Sequence, residues 1–327
     1  MHLDQDQLDV ITSWLGARSL LAPDEKLLSA AKAGEGNMNY TLRIRSNLRS
    51  FILKQARPYV EKYPSIAAPV ERARMEAAFF KVTAQWEGVE EMLPRLLYFD
   101  QEDHLQMIED LGAGSDFTHF YQRQDSLPSN ELAALLNFLR TLHQQSRENP
   151  VKENFQNRAM RELNHFHIFD FPFQASNGLN LDGIQEGLQA LAERTLFQQP
   201  HLRECTLALG QHYLADGDTL LHGDFFPGSW LRTERGVFVI DPEFCFLGDA
   251  EFDLGVCMAH LCFCGIDWDE AQQILQQHYG NFEQKRCLDF AAIEILRRFF
   301  GVGQLPLNFS IAEKETLTQV AIQQLLA

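Results

Sequence analysis

The sequence predicts an α+β chain of two unequal lobes: a small antiparallel β-sheet lobe with one key helix, then a larger, mainly helical lobe. Three observations predict it. The first third alternates apolar and polar residues in short runs broken by Gly, Asn and Asp, the period of half-buried strands. One helical stripe, Met75, Phe79, Val82 and Trp86, interrupts those runs. From about Leu111 the apolar spacing lengthens to that of helices, and one hairpin spanning 230–241 is the main β element left.

Taken in order, the opening MHLDQDQLDVITSWLG reads as a helix with Leu3, Leu8, Ile11 and Leu15 on one side, not as a signal peptide, because it carries acids and no basic start. LLSAAKAG, NYTLRIRS, SFILKQA, RLLYFD and HLQMIED read as strands. A helix is expected from about Pro69 to Trp86, with Pro69 in its first turn. The stretch MIEDLGAG divides the chain into lobes 1–110 and 111–327. NELAALLNFLRTLHQQ, DGIQEGLQALAERTL, LRECTLALGQHYLADG, FDLGVCMAHLCF, DEAQQILQQHYG, CLDFAAIEILRRFFG and AEKETLTQVAIQQLL read as helices. Pro58–Pro69 and Phe171–Gly178 read as ordinary loops.

Composition limits the function. The chain has 327 residues and a formal net charge of −17. That balance argues against a partner nucleic acid or an anionic membrane surface, both of which need a basic face. It leaves room for a small anionic ligand held by a few placed cations and backbone amides. None of the six cysteines forms C-x-x-C, so reduced thiols in the cytoplasm are expected. No apolar run reaches membrane-spanning length. The sequence leaves the assembly open between a monomer and a homodimer.

The chemistry concentrates in LLHGDFFPGSWLRTERGVFVIDPEF, residues 220–244. WLRTE and VFVID can pair across a turn at Arg235-Gly236, which brings Asp224 near Asp241, with Ser229 and Glu243 close by. Converging carboxylates repel unless a proton or a divalent cation stands between them, and an oxygen-only donor set suits Mg²⁺. Read alone, Asp224 and Asp241 are also ordinary turn and strand-end residues. The whole spacing, His222-Gly223-Asp224, Ser229 five positions on, then a strand ending in Asp241, follows the layout of a kinase catalytic loop and metal aspartate. Upstream, AGEGNMNY is a Gly-containing turn that alone reads as a plain β-turn, and whose residues Gly34, Gly36, Asn37 and Asn39 can cover phosphates. Lys54 ends the apolar run FILK; alone it is an ordinary strand-end lysine, but after a Gly-rich hairpin it occupies the place of a phosphate-contacting lysine. Glu76 and Glu71 compete as its partner, and Glu76 is favoured because it lies beside Met75 and one turn before Phe79 and Phe80. Arg297-Arg298 sits on a helix, where alone it reads as a solvated pair near the C-terminus.

With these residues assembled, the sequence resembles the aminoglycoside phosphotransferase/choline kinase superfamily, and within it the 5-methylthioribose kinase family. GEGNMN, LKQARPYV with ERARMEA, HGDFFPGS with VIDPEFCFLGDAEFDLG, and EILRRFFGVGQL carry the resemblance over about residues 30 to 305. It implies a protein-kinase-like bilobal fold and an enzyme that phosphorylates a small-molecule alcohol with ATP and Mg²⁺. Residues 1–110 would then form the nucleotide-binding lobe and 111–327 the catalytic and substrate lobe. Adenine would bond backbone near Glu109 and Leu111, and Lys54, supported by Glu76, would hold phosphates with the 34–39 loop. Asp241, Glu243 and Ser229 would hold Mg²⁺, Asp224 would receive the hydroxyl proton, and Arg297 and Arg298 would approach the acceptor. His222 and Asp253 would brace the catalytic loop, although Asp253 is equally readable as a helix N-cap. Phe225-Phe226-Pro227 depart from the family's Leu-His-Thr, and Phe225, Phe226 or Trp230 is available as an apolar substrate wall. An aminoglycoside- or choline-type acceptor and a regulatory nucleotide-binding module are the competing readings.

Overall fold

The computed structural model describes residues 1–34 and 38–327. Helix α1 (Leu8–Ala17) leads into strands β1 (Leu27–Lys32), β2 (Asn39–Ser46) and β3 (Ser50–Ala56). A short hairpin, β4 (Tyr59–Val60) and β5 (Tyr63–Ala67), and helix α2 (Arg72–Thr83) follow, and β6 (Leu96–Asp100) and β7 (Leu105–Glu109) complete the lobe. The sheet is antiparallel in the order β1-β2-β3-β7-β6.

Burial explains the strand patterns. In β2, Tyr40, Leu42 and Ile44 face a core shared with Ile11, Trp14 and Leu15 on and beside α1. In β3, Phe51 to Ala56 are all buried, because α1 covers one face and α2 with the second lobe covers the other. That double cover is what holds Lys54 at 3% exposure near the end of the strand. Helix α2 begins at Arg72, three residues after Pro69, because residues 70–71 form the turn into it. The segment Pro58–Pro69, read from sequence as a loop, contains the β4–β5 hairpin, with Glu61-Lys62 at its tip.

The second lobe opens with β8 (Gly114–Asp116), α3 (Ser129–Glu148), α4 (Arg158–His165), α5 (Leu188–Thr195) and α6 (Leu202–Leu214). Strands β9 (Thr219–Leu221), β10 (Trp230–Thr233), β11 (Gly236–Val239) and β12 (Phe246–Gly248) come next. Helices α7 (Ala250–Phe263), α8 (Trp268–His278), α9 (Gln284–Phe300) and α10 (Ile311–Leu326) finish it. Helix α5 is shorter than its apolar pattern because Gly187, at φ 87°, takes a left-handed turn at its start. The β10–β11 turn is Glu234-Arg235, one residue earlier than expected, with Thr233 paired to Gly236. β10 also pairs with β8, and β12 with β9, so the loop between β9 and β10 is pinned at both ends. Helices α7 and α9 pack together beneath it through a mainly apolar core that also buries His260 and Glu294. No helix among the described residues is long and apolar enough to cross a membrane.

Candidate active site

Lys54 comes from β3 and meets two carboxylates, Glu76 Oε1 of α2 at 2.8 Å and Asp241 Oδ1 at 2.6 Å. Glu71, the rival partner, lies exposed before α2. Burial opposes the charge on Lys54, but Asp241, Glu76 and Glu243 outweigh it and hold the ammonium above its ordinary value. For Glu76, burial is the largest influence; it and the neighbouring Asp241 and Glu243 push the carboxyl up against the pull of Lys54. Gln106 Nε2 donates to the other oxygen of Glu76 at 2.8 Å, so that carboxylate is fixed from both sides.

Glu243 is organised by groups from the first lobe. Asn39 Nδ2 donates to its Oε2 at 2.8 Å, and Arg72 Nε lies 3.1 Å from the same oxygen. Arg72 is fully buried and also donates to Asn39 Oδ1, Pro69 O and Met38 O. A buried pair of this kind is strongly coupled, because removing one partner leaves an uncompensated charge at a cost of about 3–5 kcal/mol. The turn Pro242–Phe244 that carries Glu243 follows Asp241 in a left-handed conformation, φ 61° and ψ 49°. A non-glycine residue there is a strained position of the sort found at functional sites.

Asp224 hangs on a loop whose backbone is held from below. Asp253 Oδ2 accepts His222 N–H at 2.7 Å and Oδ1 accepts Gly223 N–H at 2.9 Å, while His143 Nε2 lies 3.2 Å from Oδ2. The N-cap of α7 is Asp249, not Asp253, which sits inside the first turn and braces the loop. His222 Nε2 bonds Ile240 O at 3.0 Å and Nδ1 accepts Asp224 N–H at 3.3 Å, the pattern of a neutral ring; burial pushes its pKa down. Gly223, at φ 85°, admits no side chain, since a Cβ would lie 2.3 Å from Phe244 O. Ser229 Oγ donates to Asp224 O at 2.9 Å.

Two cavities meet at Asp224. One, of about 300 Å³, takes in Asn39, Lys54, Ser229, Asp241 and Glu243, with Asp116 and Thr118 at its side. The other, of about 190 Å³, takes in Arg297 and Arg298 with an apolar wall that includes Val60, Met160, Ile168, Phe226 and Leu305. Arg298 Nη2 stands 3.6 Å and Arg297 Nη2 3.9 Å from Asp224 Oδ1. Burial raises the Asp224 carboxyl to about 6, against the pull of the two arginines. Of the three aromatic residues offered as a substrate wall, Phe226 alone lines this cavity. Phe225 stacks on Phe138 at 6.2 Å and Trp230 is fully buried, so both belong to the core.

Other placements differ from expectation. Glu109 closes β7 with its carboxylate bonded to Arg95 and Arg235, and Leu111 is buried just beyond; neither lines the cavity beside Lys54. Gly34, at φ 75°, borders a separate hollow of about 220 Å³ with Asn39 and Lys62. Gly36 and Asn37 lie outside the described residues.

Comparison with known proteins gives the family and the fold. The phosphotransferase enzyme family matches residues 32–290. The chain belongs to that family. A methylthioribose kinase of Exiguobacterium sibiricum is 29% identical over 260 residues, 74% of this chain and 63% of that protein. One from Klebsiella pneumoniae strain 342 is 28% identical over 258 residues, 74% of this chain and 62% of the relative. The chain therefore spans somewhat under two thirds of the length of these relatives. A choline/ethanolamine kinase family protein from Mesorhizobium loti superposes with a TM-score of 0.54 at 15% identity, covering 97% of this chain and 93% of its own, a likeness of fold. The bilobal phosphotransferase fold is thus the one the sequence predicts.

Within this member of the phosphotransferase enzyme family, sequence reasoning missed several residues at the site. Arg72 was inside the quoted ERARMEA, but nothing local separates it from Arg74. Lys62, from the hairpin tip, borders both cavities. His167 reaches the second cavity from a π turn, Phe166–Asp170, at the end of α4, with a buried Nδ1 that has no partner among the described residues. Glu294 and His260 lie beneath the arginines; a carboxylate three and four residues before an Arg-Arg pair was the available signal.

Proposed function

We propose that this chain transfers the γ-phosphoryl group of ATP to a hydroxyl of a small sugar-like alcohol, 5-methylthioribose or a related pentose. One observation carries the reading: a cavity lined by Lys54, Asp241 and Glu243 and a cavity lined by two arginines share a single carboxylate, Asp224. The names of the two relatives described above support the choice of acceptor.

Lys54 would neutralise nucleotide phosphate charge, its position kept by Glu76. The residues present fit Mg²⁺. Asp241 is 46% exposed to the cleft, Glu243 and Ser229 border the same cavity, and all offer oxygen donors. Among the described residues no group of three or more His, Cys, Asp or Glu gathers to hold a metal alone, which accords with an ion that completes its shell with phosphate and water oxygens. The ion, when bound, would supply charge neutralisation on the phosphates. Asp224 would orient the acceptor hydroxyl and take its proton, and Arg297 and Arg298 would face the developing phosphate ester with planar forks. The apolar wall around Phe226 suits a thioether end.

A cationic acceptor fits less well. Two guanidinium groups line the pocket, and Phe226, the aromatic face available to an ammonium group, is already covered by Arg298 at 5.2 Å. A coupled ADP-release assay over methylthioribose, ribose and a cationic alcohol tests the reading. Turnover is expected on the first two and not the third; turnover on the cationic alcohol alone, or MgATP binding without release on any alcohol, would overturn it.

A further inference from the structure

Consecutive residues of a helix project roughly 100° apart, so Arg297 and Arg298 should diverge. They do not. Both turn onto one carboxylate, Glu294, which lies one turn earlier on α9. Arg298 Nε donates to Glu294 Oε1 at 2.7 Å, Arg297 Nη2 to the same oxygen at 2.9 Å, and Arg297 Nε to Oε2. Glu294 thereby draws both forks to the side where Asp224 stands, and offsets one of two adjacent charges.

Glu294 is itself held. His260 of α7 bonds Glu294 Oε1 through Nε2 at 2.9 Å, and Tyr121 Oη meets His260 Nδ1 at 2.6 Å. All three residues are buried, none more than 1% exposed. Burial presses the His260 pKa down to about 4, so the ring is neutral near pH 7. A neutral ring that donates from Nε2 to a carboxylate must accept at Nδ1, and the tyrosine hydroxyl is the donor placed there. Tyr121 belongs to the 3₁₀ turn Thr118–Gln122, whose Thr118 lines the cavity on the other side of Asp224. The chain of bonds therefore ties the arginines to a segment bordering the nucleotide side.

We propose that Tyr121, His260 and Glu294 form a buried positioning relay that holds Arg297 and Arg298 as one paired fork against the acceptor. This inference rests on the kinase reading. None of the three would touch substrate; they act through the arginines, and small misplacements of such groups are costly in rate.

The test uses the full chain with methylthioribose and MgATP. His260→Leu breaks the relay, and His260→Gln restores an N–H to Glu294. Glu294→Gln and Tyr121→Phe probe its two ends. We expect kcat/KM for the acceptor to fall about ten- to a hundredfold in His260→Leu and Glu294→Gln, with KM for ATP within about twofold of wild type. His260→Gln should recover most of the loss, and Tyr121→Phe should lose least, about threefold. Thermal unfolding of each variant accompanies the kinetics, and should Glu294→Gln fail to fold, the His260 pair decides. Equal losses in His260→Leu and His260→Gln, or a KM for ATP that moves with the acceptor's, would overturn the relay and leave the kinase reading standing. A wild type that transfers to no alcohol would remove both.

Discussion

On one side of Asp224 the charges meet across the lobes: Lys54 from β3 reaches Asp241, and Arg72 from α2 reaches Glu243. On the other side both arginines and their carboxylate come from the last turns of one helix, α9, backed by a histidine from α7. Any movement of the lobes stretches the first set and leaves the second intact. On the proposed reading, the nucleotide side depends on contacts between the lobes, and the acceptor side on the packing of two helices within one lobe.

Substitutions sharpen this contrast, beginning with the residue common to both sides. Asp224→Asn keeps the shape and removes the base; turnover should drop on the order of a hundredfold or more with MgATP affinity nearly unchanged. Near-normal turnover would mean that the cavities do not share a reaction. Lys54→Ala should raise KM for ATP and lower kcat, about ten- to a hundredfold in kcat/KM, since it removes a charge-assisted contact. Glu76→Ala should do the same more weakly and Glu71→Ala not at all; steady-state kinetics in varied ATP would expose the opposite ranking. Replacing Arg297 and Arg298 together by Lys keeps the charge but loses the forks. It should cost on the order of tenfold on methylthioribose and leave KM for ATP alone. A double variant that loses ATP affinity instead would erase the distinction between the two sides.

The pH profile is the mildest probe. Asp224 accepts a proton only when ionised, and its carboxyl is held up to about 6. kcat/KM should therefore be flat above that pH and fall as pH drops through it, about tenfold per unit once well below. The variant Arg297→Lys, Arg298→Lys should leave this limb near its place, because charge at the pair is preserved.

The contrast also marks what was readable in the chain. Lys54, Glu76, Asp224 and Asp241 were legible because local rules place them: a strand end, a helix face beside Met75, and a hairpin that closes on its own flanks. The inner strands followed from alternation and apolar runs, since β2 buries one face and β3 both, whereas the edge strand β1 buries no residue fully. The residues missed are those whose meaning lies in distant contacts. Arg72 looks like any arginine near a helix start, and only Asn39 and Glu243, 204 positions apart, make it a buried clamp. Tyr121 and His260 are 139 residues apart, and each passes for a core aromatic on its own apolar face. The β4–β5 hairpin was hidden by Pro58 and Pro64, which usually break strands; Pro64 is tolerated because a two-stranded ribbon has only edges. Phe225 and Trp230 show the converse, aromatic residues beside a catalytic motif that serve packing only.

The most direct measurement follows the phosphorus. Wild-type protein is incubated with MgATP and methylthioribose, and ³¹P NMR records where the γ-phosphoryl group goes. A phosphate monoester appearing in step with ADP, and absent without the alcohol, is the predicted result. Orthophosphate alone, or ATP left intact while bound, would contradict transfer between the two cavities.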